Sequence, residues 1–182
     1  MSDQYRVRNH HLIHFITFTI VDWVDVFTRP CYKKIIVSSL QYAQDHKGLS
    51  IHAWCLMTNH LHLLVSCKEN FLLSDFVRDF KKFTNKRIIE AMSEEQESRK
   101  DWMIYRFIYH AKYNPRIQDY KVWQDGYHAI ECFNDEIFYQ KLDYIHNNPV
   151  RAEITRLPEE YLYSSAMDYH GKEKGLLNID YI

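Results

Sequence analysis

The stretch that decides the fold is SIHAWCLMTNHLHLLVS at residues 50–66. Apolar, β-branched and aromatic residues dominate both of its halves, and a short polar break at Thr58 and Asn59 separates them. Two apolar runs this close together predict a β-hairpin. We expect its first strand over residues 50–57 and its second over residues 60–66.

One strand and one helix are predicted before this hairpin. Residues 11–21 (HLIHFITFTIV) are rich in β-branched and aromatic side chains, and their alternation predicts a strand with one more deeply buried face. From Pro30, a residue suited to the first turn of a helix, apolar residues recur at helical spacing. Gly48 is a natural stop for that helix.

Further elements are predicted after the hairpin. Residues 71–92 carry an apolar stripe at helical spacing, and the charged run at 93–101 indicates a loop. Residues 102–113 are expected to form another helix. Residues 122–133 predict a fourth strand with a glycine kink or bulge.

The order of the predicted elements indicates the fold class. A last helix capped by Asn134 or Asp135 completes the order strand, helix, strand, strand, helix, insertion, strand, helix, which matches the split βαβ arrangement. We therefore predict an α+β protein with a ferredoxin-like sandwich, in which an antiparallel four- to five-stranded sheet carries helices on one face. One domain is expected over residues 1–171, with a helical insertion at about 93–121 and a C-terminal tail at 172–182.

Composition and charge restrict the possible functions. The chain has 182 residues, of which 46% are hydrophobic and 26% are charged, as is typical of a globular domain. A net charge of −1 argues against a wholly basic nucleic-acid coat, so nucleic-acid binding is expected only in local patches. No apolar run is long enough to span a membrane and no export leader is evident, which predicts a cytoplasmic protein without a membrane partner.

His60 and His62 are the sharpest local feature. Residues two apart on a strand point to the same face of the sheet, so both imidazoles are expected to project together. Two such histidines can chelate a divalent ion. The alternative is a pair of partly exposed histidines on an edge strand, since the chain has 11 histidines.

Tyr144 and Asn148 form the second feature. They are four residues apart, so a helix places them on one face about a turn apart. Pro149 follows Asn148 and puts it at the end of the helix, where its amide is spared for another role. The simpler alternative is a packing tyrosine, one of 14 in the chain, followed by a helix stop.

Two basic segments are candidates for contact with phosphate. On the predicted helix 71–92, Arg78, Lys82 and Lys86 form an i, i+4 ridge that is either a phosphate-binding surface or an ordinary solvated face. The stretch 99–121 interleaves basic and aromatic residues, a pattern that suits single-stranded nucleic acid or a small helical core. Its members are Trp102, Tyr105, Arg106, Tyr109, Lys112, Tyr113 and Arg116.

Three segments together resemble a known family. WCLMTNHLHLLV at 54–65 resembles the His-hydrophobic-His motif of the single-tyrosine transposases of the HUH superfamily, and LDYIHNNPVRAEI at 142–154 resembles their tyrosine segment. LPEEYLYSSAMDY at 157–169 resembles the Pro-Glu-x-Tyr-x-x-Ser-Ser tail of the transposase-like proteins associated with repetitive extragenic palindromes in bacteria. The sequence departs from the family at Glu153-Ile154, where Gly-Leu is usual.

The resemblance implies an activity and a site. Tyr144 would be the nucleophile of a DNA nicking and strand-transfer enzyme, forming a 5′-phosphotyrosine at single-stranded or hairpin DNA. His60, His62 and Asn148 would hold Mg²⁺ or Mn²⁺, in a monomer or a homodimer. The basic side chains expected to contact the DNA are Arg78, Lys81, Lys82, Lys86, Arg87 and Arg151.

Two other functions remain open on the sequence. One is a catalytically silent protein that only binds hairpin nucleic acid. The other is an unrelated metal-dependent hydrolase that uses water in place of Tyr144. The presence of all four residues of the implied site favours the tyrosine enzyme.

Overall fold

The computed structural model describes residues 12–94, 96–112, 119–171 and 173–182. Within them lie the strands β1 (His14–Thr19), β2 (Leu49–Leu56), β3 (His60–Cys67) and β4 (His128–Glu131). The α-helices are α1 (Pro30–His46), α2 (Leu73–Glu94), α3 (Lys100–Lys112), α4 (Asp135–His146), α5 (Asn148–Arg151) and α6 (Ala166–Tyr169).

The strands form one antiparallel sheet in the order β2-β3-β1-β4. β2 and β3 pair as the predicted hairpin, and β3 pairs on its other side with β1, where Thr17 lies opposite His62. β3 is therefore an interior strand. This position excludes the alternative in which His60 and His62 lie on an edge strand.

Helices α1 and α2 cover one face of this sheet. Their apolar side chains pack with the inward-facing residues of the strands to form the main core, which includes Ile16, Phe18, Tyr32, Ile36, Leu40, Trp54, Leu61, Leu63, Phe76, Phe80 and Ile88. The strand order and the helices on this face confirm the predicted α+β, ferredoxin-like sandwich.

Helix α4 lies against the opposite face of the sheet. Its Phe138, Leu142 and Ile145 pack with Phe15 and Leu64 in a second, smaller apolar cluster. Asn134 caps the helix by accepting a hydrogen bond from the backbone N–H of Ile137 at 2.9 Å. Since His60 and His62 share the face of Leu64, α4 lies on their side of the sheet.

The fourth strand is shorter than the predicted range 122–133. β4 starts only after Gly126, whose φ of 70° is left-handed and breaks the extended run. The segment before it is fixed by α2, because the Lys81 ammonium donates hydrogen bonds to the carbonyls of Gln124 (2.9 Å) and Gly126. Trp123 makes an isolated bridge to Ile20.

The predicted insertion contains α3, and the predicted tail packs on the domain. The apolar side of α3, including Met103 and Phe107, is buried in the main core, while residues 113–118 of the insertion lie outside the described part. In the tail, Leu177 joins the same core and the Asp180 N–H donates to the Ile51 carbonyl at 2.9 Å. None of the described helices is long and apolar enough to span a membrane.

Candidate active site

His60 and His62 lie side by side on β3, as the strand periodicity predicts. Their ring centroids are 4.6 Å apart, and both rings face the side of the sheet that carries α4. His62 is buried and His60 is partly exposed. A pair of imidazoles at this separation can present two nitrogen atoms to one small cation.

A chain of hydrogen bonds fixes the orientation of the His60 ring. The Asn59 Oδ1 lies 2.7 Å from His60 Nδ1, and the Asn59 amide nitrogen donates to Asp25 Oδ1 at 2.8 Å and to the Trp23 carbonyl at 3.2 Å. Because the amide nitrogen already donates twice, Asn59 Oδ1 must accept from His60 Nδ1–H. The lone pair of His60 is then on Nε2, as a metal ligand requires.

Thr17 and Phe15 of β1 hold the His62 ring in place. Thr17 Oγ1 lies 2.7 Å from His62 Nδ1, and the Phe15 ring stacks on the imidazole with centroids 5.4 Å apart. Burial lowers the pKa of His62 to about 3, and the neighbouring His60 adds to the shift. His62 is therefore neutral, and its buried Nε2 has no hydrogen-bond partner among the described residues.

Tyr144 lies on the face of α4 that points towards this pair. Its ring meets the His62 ring edge-on, with centroids 5.3 Å apart, and meets the Phe15 ring at 5.9 Å. The tyrosine is 38% exposed, and the Arg151 guanidinium lies 5.4 Å from its ring centroid. The Tyr144 ring is thus close to His62 and remains accessible to a large substrate.

Asn148 joins the two halves of the arrangement. It begins α5, one turn after Tyr144, and its side-chain nitrogen donates to the Tyr144 carbonyl at 2.9 Å. A hydrogen bond with Asn148 raises the pKa of His60, which opposes the larger lowering caused by burial. A single polypeptide therefore brings together the four residues of the implied site, which are His60, His62, Tyr144 and Asn148.

The donors in the described part of the chain do not complete a four-ligand zinc site. Among the described residues no group of three or more His, Cys, Asp or Glu side chains is placed to hold a metal. The available donors are the nitrogens of His60 and His62 and the amide of Asn148. The unpartnered, buried Nε2 of His62 is the observation that favours a bound ion, since a buried polar atom without a partner is costly.

The predicted basic ridge lies on α2, on the face of the sheet opposite the histidines. Arg78 is paired with Asp75 at 2.7 Å and with Asp79 at 2.9 Å. Lys81 turns inward to the loop carbonyls described above, and burial lowers its pKa to about 8. Lys86 and Arg87 both pair with Glu90, while Lys82 is exposed. DNA contact by these residues stays a prediction.

Some side chains of α3 are buried in the core and others are exposed to solvent. Its aromatic side chains Trp102, Tyr105 and Tyr109 are exposed, while Phe107 is buried. The sequence pattern therefore reflects both a helical core contact and an exposed aromatic face. Tyr113 and Arg116, which belong to the same predicted pattern, lie outside the described residues.

Two solved structures of transposases are similar to this chain. A REP-associated tyrosine transposase, solved bound to a REP hairpin, aligns over 100% of this chain and 92% of its own, with a TM-score of 0.64 and 18% identity. A candidate transposase from Deinococcus radiodurans aligns over 78% of this chain and 94% of its own, with a TM-score of 0.46 and 18% identity. No curated protein matches the chain. At these identities the likeness concerns the fold alone.

The family is shown by sequence. The model of the IS200-like transposases matches residues 8–114, which is more than half of the chain. This match includes β1, the hairpin and both His60 and His62, and it ends before Tyr144. The chain belongs to the IS200-like transposase family.

Proposed function

We propose that the protein is a metal-dependent endonuclease and strand transferase for single-stranded DNA, with Tyr144 as the nucleophile. The observation that carries this proposal is the approach of Tyr144 to His62, with ring centroids 5.3 Å apart, beside a second histidine on the same face. Hairpin DNA is the proposed substrate. It is supported by the hairpin bound to the REP-associated transposase, whose fold matches the whole chain.

In the proposed covalent step, Tyr144 replaces the 3′ oxygen on the scissile phosphorus. The Tyr144 oxygen attacks the scissile phosphorus, a P–O bond to the tyrosine forms, and the bond from phosphorus to the 3′ oxygen breaks. The phenolic proton passes to water, and the departing 3′ oxygen takes a proton from water. The products are a 5′-phosphotyrosine and a free 3′-hydroxyl, and attack by a second 3′-hydroxyl reverses the step without an external energy source.

The protein's own groups prepare this step. His60, His62 and Asn148 would hold Mg²⁺ or Mn²⁺, which when bound supplies a positive charge that offsets the charge of the phosphate. Asn59 and Thr17 keep the two imidazoles oriented. Arg151, above the Tyr144 ring, adds a fixed cation next to the nucleophile.

The proposal is tested by trapping the covalent intermediate. The chain is incubated with a labelled hairpin carrying single-stranded flanks and with Mn²⁺, and the mixture is resolved by denaturing electrophoresis. We expect a protein–DNA adduct that Tyr144→Phe abolishes. Tyr139→Phe is the matched control, because Tyr139 is on the same helix, is 60% exposed and should leave the adduct intact. Cleavage by Tyr144→Phe near the parent rate would refute the assignment and favour a water-using hydrolase.

A catalytically silent hairpin-binding protein is the second candidate. It is favoured by the family match, which ends at residue 114 and so does not include the tyrosine segment. Tight binding of the hairpin with no adduct in Mn²⁺ or Mg²⁺ would support it.

A further inference from the structure

Trp23 is an exposed indole at the rim of the candidate site. It is 59% exposed, although tryptophan carries one of the largest apolar surfaces of any side chain. Its ring centroid lies 5.8 Å from that of His60, with the ring planes at 72°. The two rings are therefore not stacked, and most of the indole surface faces solvent.

The backbone that presents Trp23 is strained. Asp22 and Trp23 have φ values of 52° and 54°, so two successive non-glycine residues are left-handed. Burial of the indole does not offset this cost, because the side chain is largely exposed. The conformation must be maintained by the surroundings of the turn.

Contacts on two sides hold this turn. Asp22 lies 3.5 Å from Arg106 and 2.8 Å from His110 Nε2, both on α3, although the His110 contact is not aligned as a hydrogen bond. On the other side the Trp23 carbonyl accepts from Asn59, the same amide that orients His60. One turn thus links the indole to the histidine of the site.

We propose that Trp23 is a stacking platform for an unpaired nucleobase of the DNA strand at a nucleotide next to the scissile phosphate. This inference rests on the proposed function, since it takes single-stranded DNA as the substrate of the same site. Every base has a π-face, so an open indole beside the cleavage centre binds the strand with little dependence on sequence. The strained turn is explained because it holds the ring out of the core and beside His60.

Tryptophan fluorescence can detect the proposed stacking of a base on Trp23. All four tryptophans lie within the described residues: Trp54 and Trp123 are buried, and Trp23 and Trp102 are exposed. In a Trp102→Phe variant Trp23 is therefore the one exposed tryptophan. With Tyr144→Phe added to prevent cleavage, a hairpin with single-stranded flanks should quench the fluorescence saturably, and a blunt hairpin should not. An abasic position in the flank should remove the quenching.

Affinity measurements provide the second test. Trp23→Ala should weaken binding of the flanked hairpin by about 5- to 150-fold, the usual range for one stacked base, whereas Trp23→Phe should retain most of the affinity. Tyr42→Ala is the matched control, because Tyr42 is a 56% exposed aromatic residue on α1, and it should bind like the parent. Trp23→Gly suits the left-handed backbone, so it should unfold at a temperature no lower than the parent while losing the same affinity as Trp23→Ala.

The outcomes separate the two proposals. If the parent chain forms the adduct but Trp23→Ala binds within twofold of it and flanked DNA does not quench Trp23, the stacking inference is wrong and the proposed chemistry stands. If flanked DNA quenches Trp23 and no adduct forms, the proposed chemistry is wrong and the stacking site stands. Equal quenching by blunt hairpins would also overturn the inference, because it would show binding that needs no unpaired base.

Discussion

Replacing Ser165 by alanine should test how the C-terminal segment supports the site. Ser165 is fully buried, and its hydroxyl accepts a hydrogen bond from the backbone N–H of Trp54 at 3.0 Å and lies 2.9 Å from His146 Nε2. Trp54 belongs to β2, and His146 is the last residue of α4, the helix that carries Tyr144. One hydroxyl therefore connects the sheet, the segment around Ser165 and the helix that carries Tyr144.

The magnitude follows from the groups that the Ser165→Ala variant leaves without partners. The backbone N–H of Trp54 and the His146 imidazole are both buried, and each costs roughly 1–3 kcal/mol when its hydrogen bond is lost. Local relaxation recovers part of the combined cost, so we expect a loss of about 3 kcal/mol in the free energy of unfolding. For a chain of this size that corresponds to a fall in Tm of about 6–12 °C.

Urea denaturation and calorimetry measure this loss. Ser38→Ala is the matched control, because Ser38 is exposed and its hydroxyl donates only to the Ile35 carbonyl of its own helix at 3.2 Å. A Ser165→Ala protein as stable as the Ser38→Ala protein would refute the reasoning, since it would show that the hydroxyl is not needed to satisfy either buried group.

Three further outcomes are expected. Asn59→Leu should weaken Mn²⁺ binding by about 10- to 100-fold in calorimetric titration, because His60 loses the acceptor that fixes its tautomer; an unchanged Kd would contradict this. Burial lowers the pKa of His52, so the neutral form is favoured in the folded state and the free energy of unfolding should fall as the pH drops below about 6.5, by up to about 1.4 kcal/mol per unit. His52→Asn should make that dependence shallower in urea titrations at several pH values, while the part that comes from His62 stays. Arg151→Ala should reduce the log–log salt slope of DNA binding by about 0.7, because one phosphate contact is lost; an unchanged slope would show that Arg151 does not contact phosphate.

Local patterns were sufficient to predict much of the fold. The hairpin, the shared face of His60 and His62 and the start of α1 at Pro30 all follow from periodicities and turn signals that span a few residues. The cap at Asn134 is of the same kind, because a capping side chain acts on a backbone group three residues away.

Local sequence patterns did not predict the contacts between segments that are distant in the chain. Asn59 and Asp25 are 34 residues apart, and Thr17 and His62 are 45 apart, yet these pairs set the orientation of both imidazoles. The length of β4 was overestimated for a similar reason. Only the folded chain shows that Lys81 of α2, rather than a neighbouring strand, satisfies the carbonyls of Gln124 and Gly126.

The two halves of the candidate site depend on different interactions. The histidines belong to an interior strand whose backbone is paired on both sides, so the sheet itself fixes their spacing. Tyr144 depends on how α4 packs, through its apolar contacts with the sheet and the Ser165 contact at its end. A change in that packing would displace Tyr144, the proposed nucleophile, while leaving the histidine pair in place. The segment around Ser165 therefore supports the proposed catalytic arrangement, although it contributes no reacting group.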